Sequence, residues 1–409
     1  MRFIGAASFG LALTMAMALS GMLPATQAQQ FSDSRPMDGQ AIFRFDTFGD
    51  EQLWTEVLRM HEVIATVPPT TALAVGLKID VDALPEAVKV ALLTPGAIDL
   101  TDPAVTVELL RLNAVVGVKG TIDDLGRLTS VGVTCALCHS SVDNSFAPSI
   151  GKRLDGWANT SLNVGAIVAL SPVLDHVTKA EFNAWGAGMY DPRHHYFNGT
   201  SIVPLHPSQP SLPIVIPSIY GLKGVGFETF TADGTISYWN AYVGIGQMGG
   251  QGTFHDPRVG ISITQTPDLI TAKLPALLDY QLSLRTPAAP KDSFNRQAAN
   301  RGRHLFRNEA GCASCHQGPR FTDVLSWPTP TEPFLHDPAE TAMDPAYAER
   351  TATRKYRTTP LRGLQFHPPY FHDGSARTLL DVVNHYDQHL GLRLTPSQKA
   401  DLVEYLKTL

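Results

Sequence analysis

The sequence predicts a mainly α protein built as two similar small domains with long loops, preceded by an N-terminal extension. Three observations predict it. Amphipathic runs of helical period recur along the 409-residue chain. All four cysteines fall in two copies of one pentapeptide pattern, Cys135-Ala-Leu-Cys138-His139 and Cys312-Ala-Ser-Cys315-His316. The 33 glycines and 30 prolines are spread along the chain, which fits ordered loops rather than low-complexity linkers.

Composition narrows the function classes. A 44% hydrophobic content excludes wholesale disorder. A net charge of −6 with no basic run argues against nucleic acid as a partner. Four cysteines in a chain of this length cannot form a disulfide scaffold. At the N-terminus, Arg2 precedes an uncharged apolar run from Phe3 to Leu23, then Pro24 and Thr26-Gln27-Ala28. Small residues at the −3 and −1 positions predict a signal peptide over 1–28, cleaved after Ala28. The rival is an uncleaved anchor, since the run is just long enough to span a membrane. The favoured reading is export to the periplasm with no stable membrane insertion.

The elements follow in order. Residues 29–104 form the extension, with a helix predicted over Glu51–Ala65, a short strand over Val75–Val81 and a helix over Leu84–Leu93. Residues 105–290 form the first domain. Val105–Val116 reads as helical, and Ser145 to about Ile263 reads as a long loop-rich stretch with few helical signals. Thr271–Leu284 is again helical. Residues 291–409 form the second domain, with an amphipathic helix over Asn295–Phe306 running into Cys312. Its closing helix opens at Thr395-Pro396, a Thr cap with Pro at the first helical position, and runs to Leu409.

C-x-x-C-H is the attachment pattern of a c-type haem. Two thiols add to the two vinyl groups of one porphyrin, and the adjacent His lies under the iron as its proximal ligand. A thioredoxin-like redox pair needs a βαβ context that is absent here. A zinc site would place its cysteine pairs far closer together. Both motifs therefore predict haem c, held by Cys135, Cys138 and His139 and by Cys312, Cys315 and His316.

Further residues carry a resemblance. Tyr356-Arg-Thr-Thr-Pro-Leu-Arg-Gly-Leu, Pro368-Pro-Tyr-Phe-His-Asp-Gly-Ser, and Arg377-Thr-Leu with Val382-Val-Asn-His-Tyr are similar to the di-haem cytochrome c peroxidase superfamily. Its relatives include the di-haem enzyme that matures tryptophan tryptophylquinone. The resemblance is specific over about 294–409 and weak over 105–290. It implies two packed haem c domains, a peroxide-reactive N-terminal haem and a C-terminal haem that delivers electrons.

The resemblance also implies site residues. The sixth ligand of the second haem falls on Tyr386, as in the cofactor-maturing relative, where the peroxidases have Met; His385, His389 and Met343 are neighbouring alternatives. Ala232 stands where the family has the tryptophan that bridges the two haems, leaving Trp239 and Trp185 as candidates for that role. The family's peroxide-assisting Glu falls on Gln247, which cannot act as an acid–base group. His206 lies near the position of a distal His in some relatives. Arg357 and Arg362 are candidates to hold haem propionates bidentately. A calcium-binding Asn of the peroxidases falls on Val215, which leaves calcium doubtful.

The expectation is an exported peroxidase-like oxidoreductase. It would take peroxide or oxygen as small-molecule substrate and electrons from a small donor protein, a cytochrome or cupredoxin. The departures at Ala232 and Gln247 favour an alternative, an electron-transfer cytochrome without its own substrate. Tyr386 hints at a third, an oxidase or oxygenase acting on an organic or protein substrate.

Overall fold

The structure, a computed structural model, describes residues 37–324 and 334–409. The expected signal peptide lies outside the described residues. Among those described, helices alternate with seven two-stranded sheets, most of them only a few residues long. None of the helices is long and apolar enough to cross a membrane.

The largest apolar core runs from Ile42 to Leu277. Phe43, Leu53, Trp54, Leu58 and Met60 pack in it with Leu109, Leu110, Val131, Val133 and Leu137. The segment expected as an extension thus shares one core with the first C-x-x-C-H. A second core gathers Leu305, Phe306, Leu379, Val383, Leu402, Tyr405 and Leu406 around the second motif. A small third cluster joins Ile214 to Tyr347, Ala348 and Tyr356.

Several elements differ from the sequence expectation. The helix expected over 51–65 is split into a π-helical turn, Gln52–Val57, and a short helix, Met60–Ile64, because Arg59 adopts left-handed backbone at φ 55. The helix expected over 105–116 is Pro103–Arg111, and Asn113 at φ 53 turns the chain out of it. The strand expected over 75–81 shrinks to Ile79–Asp80. The stretch expected to be poor in helix contains Val164–Val168, His176–Asn183 and Ile236–Tyr242. Each is short and capped by the side chain of Asn163, Asp175 or Thr235, so caps rather than long periodicity define them.

A hairpin unannounced by the sequence pattern, Val118–Ile122 with Leu128–Val133, leads straight into Cys135. Gly117 makes this approach possible. Its φ is +77, and a Cβ there would lie 2.1 Å from the Leu137 nitrogen. At the other end of the chain the expectations hold closely. Asn295 caps the helix Arg296–Arg307, and Thr395 caps Pro396–Leu406 through a capping box with Gln398. The two helices cross at Gly302, where a Cβ would lie 1.9 Å from the Asp401 carbonyl oxygen.

Candidate cofactor sites

The first motif forms a single helical turn, Ala136–His139, directly after the hairpin. His139 Nδ1 lies 3.0 Å from the Pro217 carbonyl oxygen. A carbonyl only accepts, so Nδ1 carries the proton and the Nε2 lone pair is left for a metal. Burial pushes His139 down to about 4, so the imidazole is neutral, the form that ligates. Burial also pushes the Cys135 and Cys138 thiols up to about 12.

The second motif repeats this arrangement on a different scaffold. The Arg296–Arg307 helix turns through Gly311 into the 3₁₀ turn Cys312–Ser314. His316 Nδ1 lies 2.9 Å from the Phe321 carbonyl oxygen. Burial lowers the His316 pKa and raises Cys312 to about 11. Beside it opens a cavity of about 650 Å³, lined by Cys312, Cys315 and His316. Its walls are mostly apolar, including Phe306, Leu379, Val383, Leu402 and Leu406. That volume and lining suit a large planar apolar group. Paired thiols, an oriented neutral imidazole and this cavity fit haem c at the second motif. The same donor set fits it at the first.

Tyr386 lies on the Leu379–Leu390 helix, which Thr378 and Asp381 open with a capping box, and it lines the cavity with Met343. Among the described residues its hydroxyl makes no hydrogen bond. Burial, with Cys312 and Cys315 next in effect, pushes it up to about 12. His385 and His389 are directed elsewhere: their Nε2 atoms meet the carbonyls of Thr341 and Glu340 at 2.7 and 3.1 Å. Arg357 and Arg362 both line the cavity. Arg357 is already paired with Glu228 at 3.2 Å, whereas Arg362 makes one 3.3 Å bond, to the Pro319 carbonyl. Each keeps a buried Nε without a partner among the described residues.

Gln247 sits at the end of a π-helical turn, Val243–Gln247. Its Oε1 accepts from the Tyr190 hydroxyl, and its Nε2 donates to the His195 carbonyl at 2.9 Å and the Tyr242 hydroxyl at 2.8 Å. The amide is held at both ends. Tyr190 and Cys138 both pack against the first core. His206 instead lies within electrostatic range of Arg350 and Asp191, with Nε2 buried and unpartnered among the described residues.

Neither tryptophan proposed as a bridge lines the second cavity. Trp239 is buried under the Arg193 guanidinium, 4.9 Å away, against Tyr242 at 5.6 Å. Trp185 donates to Ser211 at 2.7 Å and packs on Phe182 and Tyr190. Trp157, which the sequence reading missed, is placed better. Its neighbour Gly156 donates to the His139 carbonyl at 2.8 Å. Its ring lies 5.0 Å from Phe366 and 6.0 Å from Tyr220, and Tyr220 lines the second cavity. No sequence signal marks it: its place comes from the strand Arg153–Asp155, which folds back on Ser140–Val142 immediately after His139. His372 of the His-Asp-Gly loop faces the Tyr356 hydroxyl at 3.1 Å, and its carbonyl accepts from Val215 at 2.7 Å. That loop ties strand Ile214–Val215 to the second half of the chain.

Two oriented C-x-x-C-H sites on one chain are the arrangement that a c-type cytochrome requires. Comparison with known proteins narrows this. Over 173 residues the chain is 32% identical to cytochrome-c peroxidase IdrP2 of Pseudomonas sp. (strain SCT), covering 33% of this chain and 47% of that protein. It is 32% identical over 159 residues to methylamine utilization protein MauG of Methylorubrum extorquens, covering 33% and 42%. It is 30% identical over 172 residues to hydrazine synthase subunit gamma of Kuenenia stuttgartiensis, covering 34% and 49%. A solved structure of a MauG-like protein associated with microbial copper homeostasis matches 49% of this chain and 74% of its own at 22% identity and a TM-score of 0.36. No protein-family model matches. The chain spans about half the length of the curated relatives it matches. Over about a third of its length the chain is thus similar to di-haem cytochrome c peroxidases and MauG.

Proposed function

We propose that the chain is an exported di-haem c-type oxidoreductase of the peroxidase kind. Bound haem c would supply the redox chemistry, peroxide reduction at the first site with electrons delivered through the second. The observation that carries this reading is the matched pair of C-x-x-C-H histidines: each Nδ1 is tied to a backbone carbonyl, beside two thiols, with no Nε2 partner among the described residues. The chain's residues then divide the work. His139 and His316 orient the metal, and Arg362 offers a buried donor to a propionate. Trp157 and Tyr220 bridge the space between the two sites with aromatic surface. The donor would be a small cytochrome or cupredoxin, and the compartment the periplasm.

A second reading, an electron-transfer cytochrome with no substrate, is favoured by Gln247. A carboxamide does not titrate, and both ends of this one are already bonded. Tyr386, aimed at the second cavity, supports a third, an oxidase or oxygenase acting on an organic or protein substrate.

A haem count tests attachment. Pyridine haemochrome assay should give two haems c per chain, and one in the Cys312→Ala/Cys315→Ala variant. Peroxide added with a reduced small cytochrome should then be consumed catalytically. Two six-coordinate low-spin haems in every redox state, with no response to peroxide, would overturn the peroxidase reading and leave the electron-transfer one.

A further inference from the structure

Outside the residues of both C-x-x-C-H motifs, Glu181, His194 and His195 converge. One ligand atom from each lies within 4.8 Å of the others. Glu181 comes from the helix His176–Asn183, and His195 opens the strand His195–Phe197. The fold holds the site from several directions. Asp175 caps the helix, Phe182 stacks on the His195 ring at 5.5 Å, and the His194 carbonyl accepts from Leu205 at 2.8 Å. The two imidazoles stand nearly perpendicular, with centroids 4.1 Å apart.

The hydrogen bonding of this cluster is incomplete. His194 is 4% exposed, and its Nε2 meets Glu181 Oε2 at 3.2 Å. The Nδ1 atoms of both histidines are buried with no partner among the described residues. Buried ring nitrogens left unpaired are costly, and two neighbouring ones in a native fold call for a ligand. Glu181 closes the cluster on its open side, its side chain 44% exposed, so an ion has a path in.

We propose that Glu181, His194 and His195 form a binding site for a divalent transition-metal cation of the zinc–copper class, its ligands distinct from the residues of both C-x-x-C-H motifs. Two imidazoles and one carboxylate suit such ions, whose bonds to these ligands run at about 2.0–2.2 Å. Tetrahedral ligands at that length lie about 3.4 Å apart, so a small rotation of the half-exposed Glu181 carboxylate completes the set. Three protein ligands leave one position for water. Calcium and magnesium prefer all-oxygen shells and are excluded by the two imidazoles. The His195 carbonyl receives the Gln247 amide, whose other end holds Tyr190, so the strand carrying His195 is fixed in place.

Chelator-treated holoprotein, titrated separately with Zn²⁺ and Cu²⁺ by calorimetry and metal analysis, tests this. One ion per chain is expected, with Cu²⁺ bound more tightly than Zn²⁺. A tenfold excess of Mg²⁺ should not displace either. Glu181→Gln, at a half-exposed position, should fold normally by circular dichroism and weaken binding tenfold or more. His195→Gln should do the same. The Cu²⁺ complex should show nitrogen hyperfine coupling in electron paramagnetic resonance, and haem absorbance should not change on metal addition. Absence of binding, or binding that survives both substitutions, would overturn the proposal. So would loss of a haem axial ligand in His195→Gln, because it would assign that imidazole to iron.

Discussion

Tyr386 is the polar side chain whose placement says most about the second site. Its ring rests against Phe371, with centroids 6.1 Å apart, and its hydroxyl has no hydrogen-bond partner among the described residues. Removing a hydroxyl without a partner leaves nothing newly unsatisfied. Tyr386→Phe should therefore change stability by less than about 1 kcal/mol in denaturant unfolding. Its effect on the metal site should be far larger. An anionic oxygen ligand stabilises the ferric state and lowers the potential, so its loss should raise the potential of one haem and alter its ferric spectrum. If both the potential and the spectrum match the parent protein, Tyr386 is a packing residue and Met343, also lining the cavity, becomes the better ligand. The contrast with Gln247 is instructive. Gln247, which the resemblance sets at the family's acid–base position, makes three hydrogen bonds that brace Tyr190, Tyr242 and the His195 backbone.

At the scale of elements, the second motif depends on the crossing of Arg296–Arg307 with Pro396–Leu406. Leu305, Phe306, Leu402, Tyr405 and Leu406 meet there, and the first helix then delivers Cys312. Gly302 sets the closeness of the crossing, because its missing side chain lets the Asp401 backbone approach. Gly302→Ala places a methyl group where a carbonyl oxygen already sits, and rigid backbone must move. Overpacking of this kind costs about 1–3 kcal/mol, occasionally more. The expected result is a fall of that size in unfolding free energy together with reduced haem occupancy at the second site; unchanged stability would show that the helices separate freely. These two helices were legible in the sequence because their caps, Asn295 and Thr395, are local signals that tertiary packing did not override. The C-x-x-C-H positions of His139 and His316 were legible too, whereas the carbonyls that orient their rings, those of Pro217 and Phe321, were not. The hairpin before Cys135 and Trp157 were not. The hairpin's strands are short, and Trp157 gains its meaning from a fold-back that brings Arg153–Asp155 onto Ser140–Val142. The break at Arg59 was hidden as well, because a left-handed residue leaves the apolar periodicity on either side intact.

At the scale of the whole molecule, the separate apolar cores need contacts that couple them. The third cluster supplies part of that coupling, and a buried ion pair within it supplies more. Arg350 Nη2 lies 3.1 Å from both Asp191 oxygens across a sequence separation of 159 residues, and both side chains are almost fully buried. Arg350 also donates to the Leu212 carbonyl at 3.2 Å and lies over the Tyr347 ring at 5.6 Å. Asp191 belongs to the segment that runs from Tyr190 of the first core, and Arg350 follows the helix Pro345–Glu349 of the third cluster. Truncating one member of a buried pair leaves an uncompensated charge, at a typical cost of about 3–5 kcal/mol. Here Asp191 keeps the Arg193 backbone amide at 3.0 Å and the Ser211 hydroxyl at 2.9 Å, which places Arg350→Met toward the lower end. Because the pair joins two clusters, the loss should also divide the unfolding transition. Calorimetry of the parent protein should show one cooperative transition, and that of Arg350→Met two. The double variant Asp191→Asn/Arg350→Met should recover part of the lost stability, since it removes the stranded charge. A double variant no more stable than the single would mean that Arg350 acts through its packing on Tyr347 and not through its charge.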